Sequence, residues 1–96
     1  MSLSVMMTMC LSMVDGTTDC KVSAMYALRT TRNVAMCSNS ADAAINNRLL
    51  ESGKEGWAKG LCFEQDKYSQ MVTGAVAWLE KQGYKVTFTT YKAELK

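Results

Sequence analysis

The stretch SLSVMMTMCLSMVDGTTDCKVSAMYALR, residues 2–29, decides the fold, because its alternation and its single Asp15-Gly16 step read as a two-stranded hairpin. Asp-Gly flanked by alternating apolar positions is a strong hairpin signal, since a type I′ turn needs positive φ at both central residues. With Asp15-Gly16 as a two-residue loop, Leu11 faces Cys20, Met9 faces Val22, Met7 faces Ala24, Val5 faces Tyr26 and Leu3 faces Leu28. These pairs are all apolar. The other face then carries Ser12 with Asp19, Cys10 with Lys21, Thr8 with Ser23, Met6 with Met25, Ser4 with Ala27 and Ser2 with Arg29. A slip of one residue would send an apolar set to the wrong side, so the agreement of the two strands carries information. The rival reading is a helix: Ser4, Thr8, Ser12 and Asp15 fall on one helical stripe, with Gly16 as its C′ residue.

Beyond the hairpin, Val34 to Met36 suit a short strand or a loop wall, and Ser38-Asn39-Ser40 supplies a helix N-cap with Asp42 in the first turn. A helix follows in which Ala41, Ala44, Ile45, Arg48 and Leu49 share a face, and Gly53 ends it. Trp57 to Glu64 read as a strand, with Trp57, Lys59, Leu61 and Phe63 on one face. The small residues Ala58, Gly60 and Cys62 on the other would admit a closely packed neighbour. Asp66 is placed to cap a second helix from about Lys67 to Gln82, closed by Gly83 at the left-handed position. Gly74 in its middle suggests close packing on the sheet or tolerance on an exposed face. Tyr84 to Leu95 alternate as a last strand.

The expected architecture is α+β: an N-terminal β-hairpin, then α-β-α-β, giving a four-stranded sheet with both helices on one face. The two strands that bracket the second helix should run parallel if they share the sheet.

At 96 residues the chain is expected to form a single domain spanning 1–96. It is 48% apolar and 21% charged, a globular balance, and the net charge of +2 is too small to announce a nucleic-acid or membrane partner. No run approaches the roughly 18 apolar residues of a membrane helix. The start lacks the basic region of a signal peptide, so it reads as mature structure. Cys10, Cys20, Cys37 and Cys62 have no Cys-x-x-Cys spacing, and there is no His. Reduced thiols in a cytoplasmic protein are therefore expected, with disulfides left open by the even count.

No catalytic constellation is present, so an enzyme is not expected, and no cofactor or metal is implied. Cys37, just ahead of the first expected helix, is the one nucleophile to consider. Met6 and Met25, as an opposed pair on the outer hairpin face, offer an adaptable contact surface. A long hairpin at a sheet edge could also pair with another protein or with its own copy. Arg29 and Arg32 at the hairpin end, with Lys54, Trp57 and Lys59, form the basic and aromatic group that a nucleic-acid binder would use. A thiol or metal protein is the remaining alternative.

From Ser40 to Val86 the capped helix, short strand and second helix closing on Ala77-Trp78-Leu79-Glu80-Lys81-Gln82-Gly83-Tyr84-Lys85-Val86 resemble small accessory proteins encoded by bacteriophages. That resemblance implies a cytosolic host-interaction protein, often an inhibitor that covers a host factor's surface. No functional residues carry over with it. The expected function is thus a non-enzymatic protein-binding module, plausibly a phage-encoded inhibitor or modulator of a host protein.

Overall fold

In the computed structural model, which describes the backbone over residues 2–30 and 33–93 and side chains over 3–25 and 33–90, the hairpin is present with a different turn. β1 (Ser2–Ser12) and β2 (Thr18–Thr30) are antiparallel, and Cys10 lies opposite Cys20, Thr8 opposite Val22 and Met6 opposite Ala24. The Gly16 N–H donates to the Met13 carbonyl at 3.1 Å and the Met13 N–H to the Thr17 carbonyl at 2.8 Å. Gly16 has φ 87°, while no non-glycine residue described has positive φ. Asp15 therefore cannot sit in a type I′ turn. The loop instead holds three residues, a turn closed by a left-handed glycine, and the register shifts by one from the expected pairing.

That shift moves each side chain of β2 relative to β1. Met6 is buried and faces Ala24, whereas Met25 pairs with Val5 on the opposite face and is half-buried, so the two methionines do not form a common outer surface. Cys10 and Cys20, assigned to opposite faces by the expected register, become cross-strand neighbours with Cα atoms 4.0 Å apart, joined in a disulfide. Cys37 and Cys62 form a second disulfide. No free thiol remains, which corrects the expectation of reduced cysteines and removes Cys37 as a nucleophile.

The first helix, α1 (Val34–Ser52), begins well before the expected cap. Asn33 provides the N-cap, its Oδ1 accepting the Met36 N–H at 2.9 Å, and Gly53 closes the helix at φ 67°. Val34 to Met36 are thus helical, and Ser38-Asn39-Ser40 lie inside the helix. β3 (Gly56–Glu64) follows, then a 3₁₀ turn (Gln65–Lys67) and α2 (Tyr68–Lys81). Asp66 sits in that 3₁₀ turn and caps nothing, since neither helical start has a side-chain cap bond. At the far end of α2 the Gly83 N–H donates to the Glu80 carbonyl at 2.9 Å and the Tyr84 N–H to the Leu79 carbonyl at 3.3 Å, the paired bonds of a Schellman cap. β4 (Lys85–Ala93) completes the chain described.

The strands form one mixed sheet in the order β3-β1-β2-β4, of the α+β class expected. β3 is antiparallel to β1, and β4 is parallel to β2, so β3 and β4 run the same way although two strands separate them. The hairpin is thus central rather than at an edge. Both faces of β1 are covered, which corrects the expected placement of both helices on one side. Met6, Cys10, Cys20, Val22, Ala24 and Phe63 pack with Val72 and Leu79 of α2 on one face. Leu3, Cys62 and Ala41 of α1, joined by Val5, Met7 and Cys37, make a smaller core on the other. Gly60 lies under α1, where a Cβ would collide with the Ala41 backbone. The small face of β3 thus admits a helix as its residues suggested. Gly74 meets open space, so its place in α2 reflects tolerance on an exposed surface.

Candidate binding surfaces

The two edges of the sheet are finished differently. Along the outer side of β3 runs a stripe of α1 residues spaced by one helical turn, Ser38, Asp42 and Asn46, which replaces a missing neighbour strand. The Cys62 N–H donates to Ser38 Oγ at 2.9 Å, the Gly60 N–H to Asp42 Oδ1 at 3.0 Å, and Asn46 Nδ2 donates to the Ala58 carbonyl at 3.2 Å. The Ser12 N–H, at the end of β1, donates to the Glu55 carbonyl at 2.9 Å. A covered edge of this kind cannot accept another strand. Polar residues that read as a helix cap are therefore interior to α1 because the sheet edge needs their hydrogen-bonding groups.

β4 ends the sheet on the other side with β2 as its one strand neighbour, and among the described residues no helix lies along its rim as α1 lies along β3. Its sequence is rich in Thr, with Val86 and Phe88 directed to the α2 face, and Phe88 stays 42% exposed. Beside Phe88, the residues Val72, Thr73, Val76, Ala77 and Glu80 shape a shallow trough of about 330 Å³ between α2 and the strand. Tyr68 pins the other end of this seam, its hydroxyl 2.6 Å from Thr90 Oγ1.

A second groove, of about 190 Å³, lies on the opposite flank of α2, above β3. Met6, Leu61, Ala75 and Leu79 line it together with Thr8 and Lys59, Trp57 and Trp78 flank it, and the surface it presents is almost wholly apolar. Both indoles are partly exposed, at 38% and 53%. Of the residues singled out from sequence, this groove brings together Met6, Trp57 and Lys59. Lys54 is exposed in the turn before β3, apart from that lining, its N–H donating to Ser52 Oγ at 3.1 Å. Met25 lines a different hollow of about 270 Å³ on the α1 face with Val5, Met7, Ser23 and Arg48. The Arg29 side chain and the whole of Arg32 lie outside the described residues. The basic and aromatic cluster expected from sequence is therefore divided, and only its Trp57-Lys59 part shares a site.

The sequence does not single out Trp78, Thr8 or Phe88 as lining a groove or trough. A signal for Trp78 existed: at the end of a helix with Trp57 on the facing strand, two large rings exceed what a small sheet face can bury. Among the described residues no group of His, Cys, Asp and Glu could hold a metal ion, and no helix is long and apolar enough to cross a membrane.

The architecture defines a mixed four-stranded sheet between two helices, with one edge sealed and one open. Comparison with protein-family models, curated proteins and solved structures finds no match to this chain.

Proposed function

We propose that the protein is a non-enzymatic protein-binding module that adds an extended segment of its partner to the open edge of β4. The asymmetry of the two edges carries this reading: α1 seals β3 with side-chain hydrogen bonds, while β4 presents an unsealed rim beside an apolar trough. Strand addition takes its affinity from main-chain hydrogen bonds and its selectivity from pockets for alternate side chains. Here the selective pocket is the trough at Phe88, Val72 and Val76, which suits an apolar residue of the incoming strand. From the phage-accessory resemblance this reading takes the host-protein partner and its inhibition or modulation, and not the cytosolic setting.

The compartment we propose is oxidising rather than cytoplasmic. Two disulfides that use all four cysteines suit such a compartment, since glutathione and thioredoxin keep cytosolic thiols reduced.

The test is capture of partners from a host extract by the oxidised protein, alongside a Phe88→Lys variant that places a charge in the trough. Retention of a partner by the parent protein and its loss in the variant, with unchanged circular dichroism, supports strand addition. Equal capture by both would place the contact elsewhere. Light scattering of the isolated chain separates self-pairing through β4 from binding of a different protein.

A further inference from the structure

We propose that the Cys37–Cys62 disulfide is a redox latch on the outer edge of β3: reduced by a dithiol, it lets the N-terminal half of α1 lift and bares a second rim to which a strand can add. The two disulfides differ in how far a reductant can reach them. Cys10 and Cys20 lie in the larger core at 0% and 1% exposure. Cys62 is buried at 4%, whereas Cys37, in the first turn of α1, is half-buried. Exchange begins when a thiolate attacks a sulfur that it can reach. Cys37 is thus the point of entry, and the latch opens before the Cys10–Cys20 bond.

What the latch holds is the seal on β3. Cys37 and the next residue, Ser38, meet the same strand residue: Cys37 bonds the Cys62 sulfur, while Ser38 Oγ accepts the Cys62 N–H at 2.9 Å and donates to its carbonyl at 3.4 Å. One turn on, Asp42 accepts the Gly60 N–H. Little apolar contact backs these bonds. α1 buries Ala41 and Ile45 of its 19 residues, and Val34 and Met36 at its start are exposed. α2, which carries no cysteine, instead sets Met71, Val72, Val76 and Leu79 into the larger core. A hydrogen bond open to water holds weakly, because water replaces the lost partner. The groups freed with α1 are the outward N–H of Gly60 and both backbone groups of Cys62, which an added strand pairs with.

In the exchange, a thiolate of the dithiol attacks Cys37 Sγ, the S–S bond breaks, and Cys62 leaves as a thiolate that takes up a proton. The second thiol of the reductant then displaces Cys37 from the mixed disulfide. Two electrons and two protons pass to the protein, and the reductant departs as its own disulfide. The Cys10–Cys20 bond stays closed and keeps the hairpin in register. β3 and β4 are opposite edges of the sheet, so the latch stands or falls separately from strand addition at β4.

The full oxidised chain is exposed to graded dithiothreitol in native buffer, new thiols are trapped with iodoacetamide and mapped by peptide mass, and amide hydrogen exchange is followed by NMR before trapping. Cys37 and Cys62 should be trapped at reductant concentrations that leave Cys10 and Cys20 joined. Under those conditions the Gly60 and Cys62 amides should exchange at least about tenfold faster, while those of Cys20 to Ala24 in the central strand β2 keep their protection. The double variant Cys37→Ser with Cys62→Ala should show the fast exchange without reductant; should it not fold, the titration of the parent chain decides. Unchanged exchange at Gly60 and Cys62 after selective reduction, opening of both disulfides at the same reductant concentration, or loss of protection alike at Cys20 to Ala24 would overturn the latch.

Discussion

Asp42 and Gly60 are joined by a 3.0 Å hydrogen bond in which the Gly60 N–H donates to the Asp42 carboxylate, and the glycine lies so near α1 that a side chain there would strike the Ala41 backbone. One contact thus fixes both the height of α1 above the sheet and its position along the edge of β3.

Gly60→Ala should destabilise the fold by about 1–3 kcal/mol, because the clash is with helix backbone and not with a flexible side chain. Gly74→Ala serves as the control. That position faces open space inside a helix, so the change should stabilise by roughly 0.5–1 kcal/mol. Urea midpoints of the two variants should move in opposite directions.

Asp42→Ala should cost about 1 kcal/mol or somewhat more through the unmatched Gly60 N–H. It should also open the β3 edge to pairing with other chains. Light scattering against concentration should show self-association in the variant that exceeds any in the parent. An unchanged scattering profile would mean that Ser38 and Asn46 seal the edge without it.

Removing the disulfides one at a time should destabilise unequally. The Cys10–Cys20 bond spans a sequence separation of 10 and the Cys37–Cys62 bond one of 25. Loop-closure entropy gives about 2.7 and about 3.5 kcal/mol respectively, so the pair Cys37→Ala with Cys62→Ala should lower the thermal midpoint more. In the parent protein, thiol reagents should label no cysteine even in denaturant until a reductant is added.

The turn should be acid-sensitive. Asp15 accepts the Thr17 hydroxyl at 2.6 Å and the Thr17 N–H at 3.0 Å, and these bonds lower its pKa below the ordinary value near 3.8. A depressed folded pKa means that the contribution is whole above the unfolded value and fades as pH falls through the folded one. A carbon-detected NMR titration should place Asp15 below an ordinary aspartate, and Thr17→Val should move it back up.

The sequence disclosed the elements more readily than their pairing. Asp15-Gly16 revealed the hairpin, and Gly53 and Gly83 marked the ends of both helices, because each does one local job that neighbours cannot override. The register was harder to read. β1 carries Leu3, Val5, Met7 and Met9 on one side and Met6 and Cys10 on the other, so either face could pass as the inner one. Apolar residues on both sides are what a central strand buried on two faces requires, a pattern at odds with the expectation of both helices on one face. The start of α1 stayed hidden because Ser38 and Asp42 look like a cap, whereas their groups serve the edge of β3. Of the binding grooves, Trp57 and Lys59 were visible as a pair from their shared strand face. Thr8 and Trp78 reach that groove only through the β1–β3 pairing and the docking of α2, which no local pattern encodes.

A strand that is greasy on both sides can glide past its partner by a notch with little immediate penalty. The sulfur link between Cys10 and Cys20 abolishes that freedom: once it is made, Met6 can answer only to Ala24, and Thr8 only to Val22. Oxidation therefore does more than fasten the molecule, since it selects one alignment out of two that the alternating residues alone would tolerate.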